Sequence, residues 1–422
     1  MDTESYKDED NLTSLAVVLP LALAGFVVAA GCWTLFAVAG VHVRNSLNLS
    51  DMQFGLLLAM PMAVGACLAV PAGLLAQRLG ARRVMIACLG GLAVCMVLIL
   101  TVRSFAGYLL ASAGLGLAAG FYSAGLQFVT RHCPPDRIGL VLGIFGAGVT
   151  GAGFNYYLVP LVHQAFDWQG VPLAYLAVLL LVLALLLLLT DDVNSMDDPP
   201  AATSVGQLLS RLRTLRMWQL CLYFGVVAGS FFTLALWLPD YLSSRFVLTV
   251  ESGAKLALWF VIPGALAQIA GGGLSDRFGT ARVIVRSLAV CLTVLFILSY
   301  PPMTLFIQGV EQTIEVKLAI PLYLERVFVL LLGIALGCAM GAIQRMMVAE
   351  NHDGAAFAAG MLLVSACSVA FLLPLLFGAV NQWVGVRSAV FMILFLLFAG
   401  CLFLFARGHR RSERDALLHT GI

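Results

Sequence analysis

Charge is what this sequence lacks most. Only 11% of its 422 residues are Asp, Glu, Lys or Arg, whereas a soluble domain carries about 25%. Hydrophobic residues make up 61% of the chain, and the mean hydropathy is +0.99. The net charge is only +2, and the arginines are scattered between apolar runs, which argues against a nucleic-acid partner. The composition instead indicates a chain whose main partner is the lipid bilayer.

Paired cysteines and clustered metal ligands are also missing. The ten cysteines stand singly, without a Cys-x-x-Cys, and nearly all fall within apolar runs. This spacing argues against a disulfide framework and against a zinc site, and we expect no cofactor. The sequence has no Gly-rich phosphate loop and no recognisable nucleophile–base pair, so an integral-membrane enzyme is disfavoured.

Long apolar runs are abundant. Runs of roughly 18 to 25 residues match the length of a membrane-spanning helix, and we name them spans 1 to 12; they cover about 14–41, 53–76, 84–102, 105–129, 140–162, 171–190, 217–243, 254–275, 283–300, 323–347, 355–380 and 388–406. The sequence therefore predicts an all-α integral membrane protein with twelve transmembrane helices in two pseudo-symmetric six-helix bundles. The first bundle is residues 14–190 and the second is residues 217–406. Segments 1–13, 191–216 and 407–422 are the predicted N-terminal tail, linker and C-terminal tail.

The loops carry a charge bias that predicts orientation. With the N-terminus inside, the inner loops and tails hold seventeen Lys and Arg residues and the outer loops hold seven. Because cytoplasmic loops are enriched in Lys and Arg, we expect both termini to lie in the cytoplasm. We expect the protein itself to lie in a bacterial inner membrane. The longest outer loop, residues 301–323, is predicted to contain a short interfacial helix around residues 312–320.

One motif occurs twice. Residues 73–83 (Gly-Leu-Leu-Ala-Gln-Arg-Leu-Gly-Ala-Arg-Arg) and 272–282 (Gly-Gly-Leu-Ser-Asp-Arg-Phe-Gly-Thr-Ala-Arg) are 199 residues apart and follow spans 2 and 8. A basic inner turn would explain one copy, but two copies at matching places indicate homologous halves. Arginines here can cap helix carbonyls and pair with carboxylates. We interpret these positions as gating residues: Gly73, Gln77, Arg78, Gly80, Arg82, Asp276, Arg277, Gly279 and Arg282.

The doubled motif, the six-plus-six helices and the central linker resemble the major facilitator superfamily. A narrower resemblance, to the nitrate/nitrite porter family, covers most of the first half and part of span 8, through residues 54–61, 65–83, 116–121, 131–148 and 264–277. This resemblance implies a secondary transporter, expected to be a monomer, in which two bundles rock about a central site and the short inner loops form its gate.

The chain departs from that family where its chemistry is expected. The resemblance implies two substrate arginines, each eight residues before the acidic position of the motif, and these positions are Ala69 and Gln268 here. Gln77 stands where the superfamily motif usually has Asp. Loss of paired guanidinium groups removes the bidentate contacts that suit a planar anion.

The leading hypothesis is therefore a secondary active transporter of a small solute or inorganic ion, with a substrate changed from nitrate. Three alternatives stay open: an iron transporter like the branch of the superfamily found in magnetosome membranes, a nitrate/nitrite porter, and a non-transporting sensor or scaffold on a transporter fold.

The residues that could line a substrate cavity are uncharged. Beside Gln268 and Ala69, the polar or aromatic candidates within the spans are Trp33, Thr34, Tyr122, Gln127, Asn155, Tyr156, Ser230, Thr233 and Gln344. Such residues often form hydrogen bonds between helices rather than bind a ligand. Gln268 is the strongest candidate because of its position, and no metal ligand is assigned.

Overall fold

A computed structural model describes residues 3–190, 213–301, 303–308, 313–351, 355–384 and 388–420. The helices of the first bundle are Thr3–Trp33 and Phe36–Leu47 (span 1), Asp51–Leu79 (span 2), Ala81–Thr101 (span 3), Phe105–Gly114 and Leu117–Arg131 (span 4), Ile138–Gly146 and Thr150–Leu189 (spans 5 and 6). Those of the second bundle are Leu215–Phe246, Val250–Phe278, Thr280–Leu298, Leu322–Glu350, Ala355–Val384 and Ala389–Thr420 (spans 7 to 12). Short 3-10 turns cover Pro135–Arg137 and Ala147–Val149. The predicted all-α fold class is confirmed.

The described residues contain eleven continuous segments that are long and apolar enough to cross a membrane. One of them, Pro135–Leu189, has 55 residues, and at about 1.5 Å per residue it is more than twice as long as a bilayer core of about 30 Å. It breaks at Phe166 and Asp167, where Asp167 has a φ of 57°. The two arms on either side of this break correspond to the predicted spans 5 and 6, so eleven segments match twelve predicted spans.

The two motif loops have the same backbone. Gly80 has φ 96° and ψ 137°, and Gly279 has φ 87° and ψ 135°. Each glycine is the single residue between two consecutive helices. Residues with a Cβ rarely adopt such a positive φ, which is why both copies of the motif need glycine at this place.

The loop between spans 9 and 10 differs from the prediction. It forms an antiparallel hairpin of strands β1 (Met303–Gln308) and β2 (Thr313–Leu318), with Met303 opposite Leu318 and Gln308 opposite Thr313. The prediction of an interfacial helix at residues 312–320 is wrong. Residues 313–318 alternate polar and apolar (Thr-Ile-Glu-Val-Lys-Leu), and this period of two favours a strand.

The predicted tails continue the helices of the outermost spans. Span 1 begins at Thr3 instead of about residue 14, and span 12 continues to Thr420. Charged residues such as Glu, Lys and Arg are good helix formers, so a helix need not stop where the apolar run stops. The predicted linker lies outside the described residues except for 213–216.

The two bundles meet through very close backbone contacts. A Cβ on Gly143 of span 5 would lie 2.4 Å from the carbonyl oxygen of Gln268 in span 8, and one on Gly360 of span 11 would lie 2.8 Å from that of Ala69 in span 2. Small residues permit this approach of helices. Polar groups of spans 4, 5, 8 and 10 lie at this contact between the bundles.

Candidate substrate site and gate

Polar residues from both bundles meet at the interface. Gln268 of span 8 donates from Nε2 to the carbonyl oxygen of Gly146 in span 5 (3.1 Å), and Gln344 of span 10 donates from Nε2 to the hydroxyl of Tyr122 in span 4 (2.5 Å). Both glutamines are 1% exposed. We call Tyr122, Gly146, Gln268 and Gln344 the interface cluster. It brings together three of the predicted cavity residues.

A helix irregularity frees the carbonyl group that Gln268 uses. The helix Ile138–Gly146 ends at Gly146, and in the following 3-10 turn the backbone N–H of Thr150 donates to Ala147 and Gly148. An uninterrupted helix would instead bond that N–H to the carbonyl of Gly146. Gly146 also has no side chain, and a Cβ there would lie 2.5 Å from Gln268 Oε1 and 3.1 Å from Gln344 Oε1.

Aromatic rings pack beside the interface cluster. The ring centroids of Phe26, Tyr122 and Phe145 lie 5.1 Å (Phe26–Tyr122), 5.2 Å (Phe26–Phe145) and 5.6 Å (Tyr122–Phe145) apart. Phe145 directly precedes Gly146. The polar atoms of the cluster are therefore enclosed by apolar and aromatic groups, where a hydrogen bond is stronger and an unpaired polar atom is more costly than in water.

A second contact between the bundles lies at the motif of the second half. Both carboxylate oxygens of Asp276 accept backbone hydrogen bonds from span 5: Oδ1 from Gly139 (3.3 Å) and Oδ2 from Leu140 (2.9 Å). Arg345 of span 10 donates from Nε to Asp276 Oδ1 (3.0 Å). We call these four residues the latch. A carboxylate at a helix N-terminus is stabilised by free N–H groups and by the helix dipole.

The sequence profile of the Major Facilitator Superfamily matches residues 21–370. The chain belongs to this superfamily. It is 28% identical over 397 residues to the probable nitrate/nitrite antiporter NarK1 of Thermus thermophilus, covering 90% of this chain and 89% of the relative. It is 25% identical over 292 residues to the nitrite extrusion protein of Bacillus subtilis (strain 168), covering 69% and 71%.

Solved structures agree on the fold. The superfamily transporter FucP in its outward conformation matches with a TM-score of 0.70, at 16% identity over 93% of this chain and 99% of that one. The human organic anion transporter MFSD10 matches with a TM-score of 0.68, at 17% identity over 93% and 99%. The family and the fold point to a multi-pass membrane transporter rather than an enzyme.

In this major facilitator chain, Asp276 is the predicted gating residue that carries the latch. Arg82 donates to the carbonyl of Leu187 (3.0 Å) and to the hydroxyl of Thr190 (2.8 Å) at the end of span 6. Arg78, Arg277 and Arg282 are exposed, Gln77 is half-buried and Gly73 is buried. Sequence analysis did not pair Arg345 with Asp276, although Arg345 is a rare charge inside an apolar run.

Two predicted cavity residues are used inside the first bundle. Asn155 donates from Nδ2 to the carbonyl of Gly31 (2.8 Å) and to the hydroxyl of Thr34 (2.9 Å), and its Oδ1 accepts from the hydroxyl of Tyr175. These bonds join spans 1, 5 and 6. They match the alternative in which polar residues only connect helices.

Two other candidates contact the second bundle. The ring of Trp33 lies 5.3 Å from the ring of Phe232, and its Nε1 donates to the carbonyl of Pro61 (3.2 Å). The hydroxyl of Tyr156 donates to the carbonyl of Ala235. Along spans 1 and 5, both contacts with span 7 lie beyond the interface cluster, at the end away from the latch.

The remaining candidates are buried elsewhere. Ala69 packs against Gly360, and Thr233 donates to the carbonyl of Gly229 in its own helix (2.7 Å). Gln127 Oε1 and Ser230 Oγ have no hydrogen-bond partner among the described residues. None of these contacts joins them to the interface cluster.

A cysteine lies beside the latch. Cys133 precedes the 3-10 turn Pro135–Arg137, outside the membrane-spanning helices. Burial and the carboxylates of Asp136 and Asp276 raise the pKa of the Cys133 thiol to about 12. The thiol therefore stays protonated near neutral pH and reports on the surroundings of Asp276.

One buried ion pair was not predicted. Glu325, at the start of span 10, is fully buried, and its Oε2 lies 3.0 Å from Nε of Arg245, whose side chain is 10% exposed, at the end of span 7. Arg245 also donates from Nη1 to the hydroxyl of Tyr241 (2.5 Å). The pair joins spans 7 and 10 at the opposite end of span 10 from the latch. The sequence alone placed Glu325 at a loop boundary, where it gave no signal of burial.

Proposed function

We propose that this superfamily member is a secondary active transporter of a small solute, that it works by alternating access, and that its substrate is not nitrate. The observation that carries the proposal is Gln268. It occupies the position where the resemblance implies a substrate arginine, it is buried between the bundles, and its amide nitrogen is already bonded to Gly146.

The distribution of hydrogen bonds supports a rocking motion. The bonds of Asp276, Gln268 and Gln344 to the first bundle all run between the bundles, so that a rotation of one bundle breaks them without unfolding either. One further bond also runs between the bundles, from the hydroxyl of Tyr156 to the carbonyl of Ala235. The bonds of Asn155 stay within the first bundle and the Arg216–Glu350 pair (2.9 Å) stays within the second. Two internally bonded bodies joined by a few breakable contacts are what rigid-body alternating access requires.

In this scheme the latch holds one side of the transporter closed. Opening that side separates Asp276 from the N-terminus of span 5 and releases the interface cluster to the solute. Closing it restores the bonds in the same places. The Gln77 copy of the motif has no carboxylate, so the two halves contribute unequally to this gate.

Nitrate or nitrite transport is the second candidate, and the names of the relatives favour it. A nitrate ion offers only hydrogen-bond acceptors, and it is best bound by guanidinium groups or other strong donors. In the interface cluster one N–H of Gln268 is already bonded to the carbonyl of Gly146 and one N–H of Gln344 to the hydroxyl of Tyr122. An iron cargo has no set of three or more His, Cys, Asp or Glu ligands among the described residues.

Transport by the purified protein in liposomes tests the proposal. We expect uptake of nitrate and nitrite to stay at the level of protein-free liposomes, while NarK1 of Thermus thermophilus, reconstituted in parallel, serves as the comparison. Ferrous iron is assayed in the same vesicles. Nitrate uptake that reaches the level of the comparison protein and is lost in Gln268→Leu would overturn the changed substrate. A scaffold role would instead leave the cell phenotype intact in Gln268→Leu and abolish it when residues 407–422 are removed.

A further inference from the structure

A pocket of about 290 Å³ lies at the end of the bundles away from the latch, where spans 1, 5, 6, 7 and 8 meet. Most of the residues that line it are apolar, but two of them are histidines, His42 and His163. Val38, His42 and Asn45 stand at positions i, i+4 and i+7 of the helix Phe36–Leu47, so they face the pocket from one side of that helix. None of the lining residues belongs to the interface cluster or to the latch.

The helix break between spans 5 and 6 brings the second histidine and an aromatic ring to this pocket. His163 lies near the end of span 5, before the non-helical residues Phe166 and Asp167, and Trp168 follows them at the start of span 6. The His42 ring stacks on the Trp168 ring, with centroids 4.8 Å apart and planes inclined by 15°. This stacking occupies a face of the His42 ring and does not engage the two nitrogen atoms at its edge.

The imidazole rings of His42 and His163 lie beside each other. Their centroids are 5.2 Å apart and their planes are inclined by 65°, so the rings do not stack on one another. Neither ring forms a hydrogen bond with another residue in the part of the chain that the structure describes. Two imidazoles whose nitrogen atoms have no such partner are available to bind one ligand between them.

Spacing and chemistry both favour a metal ion as that ligand. Neutral imidazole is a common ligand of Zn²⁺, Cu²⁺ and Ni²⁺. With metal–nitrogen bonds of about 2.0–2.1 Å and a tetrahedral angle, the centroids of two bound imidazole rings lie about 5 Å apart, which is the separation found here. The residues that line the pocket include one carboxylate, that of Glu251, and no Lys or Arg. The lining therefore does not repel a cation.

We propose that His42 and His163 bind one divalent transition-metal ion of the zinc and copper class, with water molecules at its remaining coordination positions. A third protein ligand is not assigned, because the described residues contain no group of three His, Cys, Asp or Glu that could hold a metal. Glu251 is exposed and its Oε1 pairs with Lys255 (2.9 Å). This inference goes beyond the proposed transport function, since neither histidine lies in the interface cluster.

Calorimetric titration of Zn²⁺ into the purified protein tests the site. The protein is prepared in nanodiscs without a histidine tag and is first freed of metal with a chelator. Loss of a group that only supports a metal ligand costs about 10- to 100-fold in affinity, so loss of a ligand itself should cost at least about tenfold. We expect one Zn²⁺ per chain, and binding at least about tenfold weaker in His42→Ala and in His163→Ala.

The other histidines of the chain provide the controls. His132→Ala should leave Zn²⁺ binding unchanged, because Nδ1 of His132 lies 2.8 Å from the carbonyl oxygen of Phe128, outside the pocket. A variant in which His352, His409 and His419 are all replaced by alanine should also keep the binding, which separates this site from metal held by the other histidines.

Electron paramagnetic resonance of bound Cu²⁺ counts the nitrogen ligands directly. We expect hyperfine coupling to two imidazole nitrogens in the wild-type protein and to one in each single variant, a signal that a merely structural role of the two rings would not produce. If an alanine variant does not fold, the nitrogen count in the wild-type protein still decides.

Three results would overturn the assignment. The first is the absence of saturable Zn²⁺ binding by the wild-type protein. The second is unchanged binding when His42 and His163 are both replaced by alanine. The third is coupling to fewer than two nitrogens in wild-type protein loaded with Cu²⁺. None of these results bears on solute transport, which the liposome assay measures separately.

Discussion

Replacement of Asp276 by asparagine tests whether the latch holds one side of this transporter closed. The carboxylate accepts two backbone hydrogen bonds and one from Arg345, and the side chains of Asp276 and Arg345 are only 12% and 26% exposed. Hydrogen bonds to a charged group are worth about 1.5–3 kcal/mol each. Since Asn keeps one acceptor oxygen and loses the charge, we expect Asp276→Asn to weaken the closed state by about 2 kcal/mol, which is a shift of about 30-fold in the equilibrium.

Alkylation of Cys133 measures this shift, because the cysteine lies beside Asp276 and becomes more accessible when span 5 moves away. Maleimide labelling of the purified protein, followed by peptide mass spectrometry, should be about 30-fold faster in Asp276→Asn if labelling proceeds through the open state. Loss of the carboxylate also lowers the thiol pKa, so a control must separate charge from opening. Asp136→Asn provides it, since Asp136 also raises the thiol pKa and is exposed outside the latch.

Arg345→Met gives the sharper comparison because its two effects have opposite signs. Removal of a nearby positive charge raises the thiol pKa and should slow alkylation, whereas removal of a latch partner should speed it. Faster labelling in Arg345→Met supports the latch. Slower labelling in Arg345→Met, or equal acceleration in Asp276→Asn and Asp136→Asn, would refute the reasoning.

Three further predictions concern the same structure. With a thiol pKa of about 12, the alkylation rate of Cys133 should keep rising about tenfold per pH unit from pH 7 to 10, because only the thiolate reacts. A plateau of the rate near pH 9 in a stopped-flow series would contradict the raised pKa. Gly272→Val would place a Cβ 2.0 Å from the carbonyl of Gly139 and should lower the free energy of unfolding by about 1–3 kcal/mol. The control Gly273→Val, whose Cβ would meet only Leu140 at 3.4 Å, should change the melting temperature little. Equal losses in the two variants would refute the close packing. Arg245→Met or Glu325→Leu alone should destabilise the folded protein by about 3–5 kcal/mol, since each leaves a buried charge unpaired. The double variant should melt near the wild-type temperature. Additive losses in thermal unfolding would show that the two residues act independently.

The sequence was sufficient for the membrane-spanning architecture. Hydropathy locates the spans because an apolar helix of about 20 residues has few alternatives in a bilayer. The repeated motif predicted two related halves, and the equal backbone angles of Gly80 and Gly279 are a local consequence of that repeat. The hairpin after span 9 could also have been predicted, since its period-two alternation was visible in residues 313–318.

The interface cluster required the tertiary structure. Gln268 was distinguished by its spacing from the motif, but Tyr122 and Gln344 were not, because nothing local separates them from Asn155 or Thr34, which bond within the first bundle. Which polar residues meet depends on how spans 4, 5, 8 and 10 cross. The role of Gly146 depends on an interruption of the helix that leaves its carbonyl free.

The charged contacts divide in the same way. Sequence alone determined that Asp276 is the acidic residue of a motif at the end of a span. Only the three-dimensional arrangement showed that its partners are backbone N–H groups 137 and 136 residues away, and that Glu325 is buried against Arg245. Hydropathy and motif spacing are properties of neighbours along the chain, whereas a gate or a binding site is formed by groups that only helix packing brings together.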